Sequence, residues 1–204
     1  MAEERAGTVS ALIEQLQSGD RLQRYSAARQ LAEFGGEAQR AVPILKTWIG
    51  ATDRLIHVMA LGAIVLIDKS ESSALLPMLI EEAECSDSRR QHAAICMLGG
   101  LGELAFSAVP VLRKLLSQDS VVSTSASEAI YDLTGDPTDV IDVGLRLLEH
   151  PDWLQRWVGI EHLEYVGREA QAAIAQLEWV AIEDDDEGVR KRAWEAVKMI
   201  EQYD

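Results

Sequence analysis

Four histidines and two cysteines are the side chains in this 204-residue sequence most able to do chemistry. A metal centre needs three or four ligands converging on one point. His57 and His92 have no carboxylate at ligand spacing, and Glu149-His150 and Glu161-His162 place an acid before each base. Cys85 and Cys96 fall on different predicted helices, and one such pair makes no disulfide framework. The series Asp132, Asp136, Asp139 and Asp142 lacks the alternating ligands of a calcium loop. Asp136 with Asp139, and the run Asp184-Asp185-Asp186, read instead as helix starts, where the macrodipole favours acids. The expectation is no catalytic residue, no metal and no cofactor.

The elements that would position any site recur along the chain. Residues 20–34, DRLQRYSAARQLAEF, carry an aspartate, a small residue at +7 and apolar residues at +11 and +14. Those steps put three side chains on one face of an α-helix. The figure restarts at Asp53, Asp87, Asp119, Asp152 and Asp186. Ala27, Ala60, Ala94, Ala126, Gly159 and Ala193 stand at +7. Leu31, Ile64, Leu98, Ile130, Leu163 and Val197 stand at +11, and Phe34, Ile67, Leu101, Leu133, Val166 and Ile200 at +14. Six like repeats follow, at about 4–35, 37–68, 72–102, 104–134, 137–167 and 169–201, read as one domain over 1–204. A period of about 33 residues implies a lengthwise core in which each repeat touches its neighbours.

Each repeat reads as two antiparallel helices, A and B, with the aspartate in the turn between them. Helix A of repeat 1 covers roughly 4–17, with Val9, Leu12, Ile13 and Leu16 as its apolar face, and Asp20 is placed to cap helix B. Gly35-Gly36 ends that B helix as a left-handed cap would. The second B helix, 53–67, is apolar nearly all round, which predicts burial on most sides. Pro43, Pro77 and Pro110 recur near the A-helix starts, where a missing N–H costs nothing. Arg190, Lys191, Arg192, Glu195 and Lys198 read as a polar outer face for the last repeat, and Glu3, Glu4, Arg5, Glu14 and Gln15 for the first.

Net charge is −15, and it is uneven. Residues 1–102 hold 10 Lys+Arg against 13 Asp+Glu, whereas 103–204 hold 9 against 21. Clustered cations are what neutralise phosphates, so nucleic acid and anionic membrane surfaces are excluded as partners. The acidic half fits a basic partner or simple solubility. No stretch of 18 apolar residues and no signal-peptide core occurs, so the expected location is cytoplasmic.

The Asp turn, Ala at +7, Leu-type residues at +11 and +14, a closing Gly and an A helix opening AVPxL together resemble bacterial HEAT-like repeats of the PBS-lyase type. The resemblance covers 6–201 and implies an all-α, right-handed α-solenoid whose B helices line the concave side and hold other proteins. The +4 position departs from the family's usual Arg: it reads Arg24, His57, Gln91, Ser123, Arg156 and Arg190. Residues 147–177 also resemble the HEAT-like segment that follows the catalytic domain of some bacterial sulfatases. The C/S-x-P-x-R motif of sulfatase catalysis is absent from the sequence. The His-Glu pairs of HEAT-type di-iron hydroxylases and the basic face of HEAT-like DNA glycosylases are absent too.

Opposite the core stripe, each B helix presents +2, +5, +9 and +12. In repeats 3 to 5 these rows bring Val121, Tyr131, Leu154 and Trp157, flanked by Trp153, beside Glu128, Glu161 and Glu164. Aromatic anchors among carboxylates suit a protein or peptide partner with basic groups. The competing reading packs these side chains between repeats. The first functional expectation is therefore a non-enzymatic protein-binding scaffold. A second is an accessory segment of a larger enzyme such as a sulfatase, and a third a lyase or hydroxylase on the same scaffold. The sequence leaves the oligomeric state open.

Overall fold

Six aspartate turns set out the chain, and the computed structural model describes residues 2–118 and 120–202 of it. Helices α1 (Ala2–Ser18) and α2 (Arg21–Phe34) make the first pair, α3 (Val42–Lys46) and α4 (Arg54–Ile67) the second, and α5 (Ser72–Ala83) and α6 (Ser88–Gly100) the third. Helices α7 (Val109–Leu115) and α8 (Ser120–Thr134) follow, then α9 (Thr138–Leu148) with α10 (Trp153–Tyr165) and α11 (Ile174–Glu183) with α12 (Glu187–Glu201). No strand occurs among the described residues. The chain divides into two compact bodies, Met1–Val111 and Leu112–Asp204.

The aspartates do what their position requires. Carboxylates of Asp20, Asp53, Asp87, Asp152 and Asp186 accept from the backbone N–H of Gln23, Leu55, Arg90, Leu154 and Val189 at 2.9–3.2 Å. Each cap is worth about 1 kcal/mol, because the first N–H groups of a helix lack internal partners. Asp119, the fourth turn aspartate, lies outside the described residues.

Of the eighteen side chains at +7, +11 and +14, all but Phe34 are buried. Phe34 is half-buried, with the Arg5 guanidinium 5.3 Å from its ring centroid. In repeat 5 the +7 residue is Gly159, and packing explains the substitution. A Cβ there would stand 2.8 Å from Leu147 Cβ and 2.9 Å from the Gly144 carbonyl oxygen. Helices α9 and α10 therefore approach more closely than an alanine would let them. Helix α4 is buried continuously from His57 to Val65, between α2 and α6.

At five of its six occurrences the variable +4 residue ties down the A–B turn. Arg24 donates to the Gln17 carbonyl at 3.4 Å, Gln91 to Ala83 at 3.0 Å, and Arg156 to His150 and Pro151 at 3.0 Å. Arg190 donates to the Asp184 carbonyl at 2.6 Å. His57 reverses the polarity, since its Nδ1 accepts from the Gly50 N–H at 2.9 Å. A guanidinium, an amide and an imidazole all fit, because the turn offers both donors and acceptors.

Three B helices run on into a 310 segment: Gly35–Ala41, Gly102–Ala108 and Gly167–Ala173. Gly35 has φ 53° and ψ −135°, so the expected positive φ is present but not the left-handed helical ψ. Within each segment two alanines three residues apart are buried: Ala38 and Ala41, Ala105 and Ala108, Ala170 and Ala173. Three residues per turn brings i and i+3 onto one edge, and alanine is small enough to seat that edge against the core. Pro43 and Pro110 open their helices as expected. Pro77 does not, for α5 begins at Ser72 and leaves the proline inside, exposed, with no N–H for the carbonyl four residues back.

Candidate protein-binding site

On the B-helix face of the C-terminal body, three apolar side chains project from the first turns of α8 and α10. Val121 is 58% exposed, Trp153 50% and Leu154 48%. The aspartate turns fix their positions, because capping by Asp152 sets where α10 begins. The other five expected residues are held by their own neighbours. Trp157 is half-buried, donates from Nε1 to Glu161 at 3.0 Å and lies 5.9 Å from the Arg192 guanidinium. Glu164 forms an ion pair with Arg192, and burial raises its carboxyl above the ordinary 4.5 against the pull of that cation. Tyr131 donates to Glu169 at 2.8 Å, which raises its phenol above 10.0, and meets Tyr165 edge-to-face at 5.9 Å. Glu128 reaches His162 Nδ1 at 3.1 Å. Eight residues expected on one surface thus divide into three solvent-facing apolar groups, four that tie α10 to neighbouring elements, and Glu161, which is exposed and accepts from Trp157 within α10.

The contact of Glu128 extends into an arrangement the sequence did not reveal. His162 Nε2 stands 2.8 Å from the Ser127 hydroxyl, giving serine, imidazole and carboxylate in hydrogen-bonded series. Geometry of that kind activates a nucleophile when the serine is open to substrate. Ser127 is wholly buried and also donates to the Thr124 carbonyl at 3.0 Å, so here the series joins α8 to α10. Residues 127 and 162 are 35 apart, one repeat plus two, a separation that a search for short motifs passes over.

Two buried ion clusters sit behind the A–B turns. In the N-terminal body, Glu82 accepts from Arg90 at 2.7 and 3.0 Å and from Arg54, with His57 Nε2 at 3.5 Å. Burial pushes the Glu82 carboxyl up, but the hydrogen bonds from Arg90 and Arg54 outweigh it and hold it below 4.5. Burial and the Arg54 charge lower the His57 imidazole below 6.5. In the C-terminal body, Arg156 grips buried Asp184 at 2.6 and 2.7 Å and also reaches Asp185. Among the described residues no three His, Cys, Asp or Glu side chains are placed to share a metal ion. Asp132, Asp136 and Asp139 go to Tyr165, Thr138 and Arg113 respectively.

The B-helix face of the N-terminal body carries features that the sequence reading did not single out. A cavity of about 320 Å³ opens among Tyr25, Leu55, Val58 and Met97, and one of about 500 Å³ among Ala32, Met59, Ala63 and Leu66. Beside them Cys96 Sγ lies 3.7 Å from the nearer ring nitrogen of His92, one turn away on α6. Aromatic residues had marked repeats 3 to 5; here the signal was small residues at +9 and +12 with Met59 at +6 and Met97 at +10, which composition alone does not distinguish from core.

No family model matches the chain, and no curated protein is similar to it. Solved structures are: a chain in the complex of CpcE and CpcF of phycocyanin lyase from Nostoc sp. is 24% identical, with 94% of this chain and 82% of that chain covered and a TM-score of 0.52. The likeness is one of fold, an all-α HEAT-like solenoid, as the repeats predict. It lends the resemblance to sulfatase segments no support. No described helix is long and apolar enough to cross a membrane. The expectation that this chain is not an enzyme is corrected by the same finding, since a solved structure it is similar to is part of a phycocyanin lyase complex.

Proposed function

We propose that this chain is the protein-binding component of a lyase-type assembly, holding a polypeptide on the B-helix face of its C-terminal body. The observation that carries the reading is the exposure of Val121, Trp153 and Leu154 at neighbouring +1 and +2 positions. Tryptophan is over-represented among energetic hot spots, and Val121 and Leu154 add exposed apolar area beside it. The half of the chain that carries them holds 21 Asp+Glu against 9 Lys+Arg, which favours a partner surface rich in lysine or arginine. Likeness to the CpcE and CpcF complex of phycocyanin lyase supports the lyase-type setting and a protein partner.

Photo-crosslinking tests this reading. A benzophenone side chain placed at 121, 153 or 154 is expected to give one dominant polypeptide adduct in the native host. Placed at exposed Asp142 or Glu178 on the A helices, it is expected to give none. Adducts from the A-helix positions alone would overturn the assignment of the face.

A further inference from the structure

The two cavities on the B-helix face of the N-terminal body are lobes of one groove. Met59 and Met97 line both, so the groove crosses α2, α4 and α6. Its walls are mainly apolar, and its polar edge is formed by Arg29, Arg89, Glu33 and His92. Arg29 and Arg89 are exposed, and neither is in an ion pair among the described residues. Gly62 shapes the groove, because a Cβ there would fall on Cγ and Sδ of Met97. Methionine adapts to varied apolar shapes, which suits a wall that must receive a side chain.

We propose that this groove docks an acidic amphipathic helix of a partner protein. The walls are helices whose backbone groups bond internally, so they offer no edge to which an extended peptide could add as a strand. An extended chain laid on these apolar walls would leave its own N–H and C=O groups unpaired. A helix arrives with those groups satisfied and presents apolar residues at i, i+3, i+4 and i+7, which the two lobes receive. Glutamates flanking that stripe meet Arg29 and Arg89. This site is separate from the face around Trp153, and its occupant carries the opposite charge.

The test uses two labelled helical peptides of about 18 residues, about five turns, with the same apolar stripe and either glutamate or lysine flanks. Fluorescence anisotropy on the full chain is expected to show the acidic peptide binding at least about tenfold more tightly. Overall charge works against that preference, since the whole chain is at −15. Arg29→Glu with Arg89→Glu is expected to reverse it. Gly62→Ala, whose methyl group displaces the Met97 side chain from Cγ outward, is expected to weaken binding about tenfold, while the arginine variant, which changes only exposed side chains, keeps the parent unfolding midpoint. Equal or weaker binding of the acidic peptide overturns the proposal, as does a preference unaltered by the arginine changes. Two further outcomes would also overturn it. One is an apolar sulfonate dye that binds the groove and is not displaced by the acidic peptide; the other is self-association lost in the arginine variant, which would assign the groove to a second copy of the chain.

Discussion

Arg156 shows how much a single side chain at +4 carries. Its guanidinium is nearly buried, compensates the buried Asp184 carboxylate and closes two turn carbonyls. Arg156→Met leaves that carboxylate without its cation, and breaking such a pair costs about 3–5 kcal/mol. Chemical denaturation is expected to show a loss of that order, well above the loss from Arg24→Ala, whose guanidinium is only half-buried. His57 predicts a pH dependence. Its folded pKa lies below the ordinary 6.5, so the unfolded chain binds more protons as pH falls through that value. Stability due to neutral His57 is therefore complete above about pH 6.5 and is lost below it. Glu82, held below 4.5, adds a second loss only at lower pH. His57→Gln supplies an amide like that of Gln91 at the same position of repeat 3. It is expected to flatten the upper window for about 1 kcal/mol in cost, read from denaturation midpoints at several pH values.

At the scale of an element, α9 and α10 meet at a contact that leaves no room for a Cβ at Gly144 or Gly159. Gly159→Ala puts a methyl group against the Gly144 carbonyl and the Leu148 N–H, both backbone, so the helices must separate. A loss of about 2 kcal/mol is expected, of the size seen for overpacked cores, although alanine is the better helix former. Ala126→Gly, at the same position of repeat 4, should also cost about 2 kcal/mol, by the opposite route of lower helix propensity and a lost buried methyl group. The B helices were legible in the sequence because aspartate caps and three buried positions recur at helical spacing. The 310 segments were not, since Gly-x-x-Ala-x-x-Ala has a period of three and alanine gives a weak hydrophobic signal. Pro77 was misplaced for a related reason: nothing local in Ser72-Ser73-Ala74 shows that α5 starts there and takes in the proline as its sixth residue. The candidate site was legible by row but not by role. Spacing put Glu164, Tyr131 and Trp157 beside Trp153, while their partners Arg192 and Glu169 lie 28 and 38 residues downstream of Glu164 and Tyr131.

Across the whole molecule, the side chains that hold the fold and those offered for binding occupy different positions of the same helices. Positions +7, +11 and +14 are buried in repeat after repeat, and changes there act on stability. Val121, Trp153 and Leu154 are all exposed, so truncating them removes little packing. The most direct measurement pairs thermal unfolding with partner affinity for one variant, Val121→Ser, Trp153→Ala and Leu154→Ser combined. The predicted result is a midpoint within about 2–4 °C of the parent, corresponding to a change of about 1 kcal/mol, and at least about tenfold weaker binding of the crosslinked partner. A midpoint that falls much further while the partner still binds would contradict the account, because these side chains would then belong to the packing between repeats.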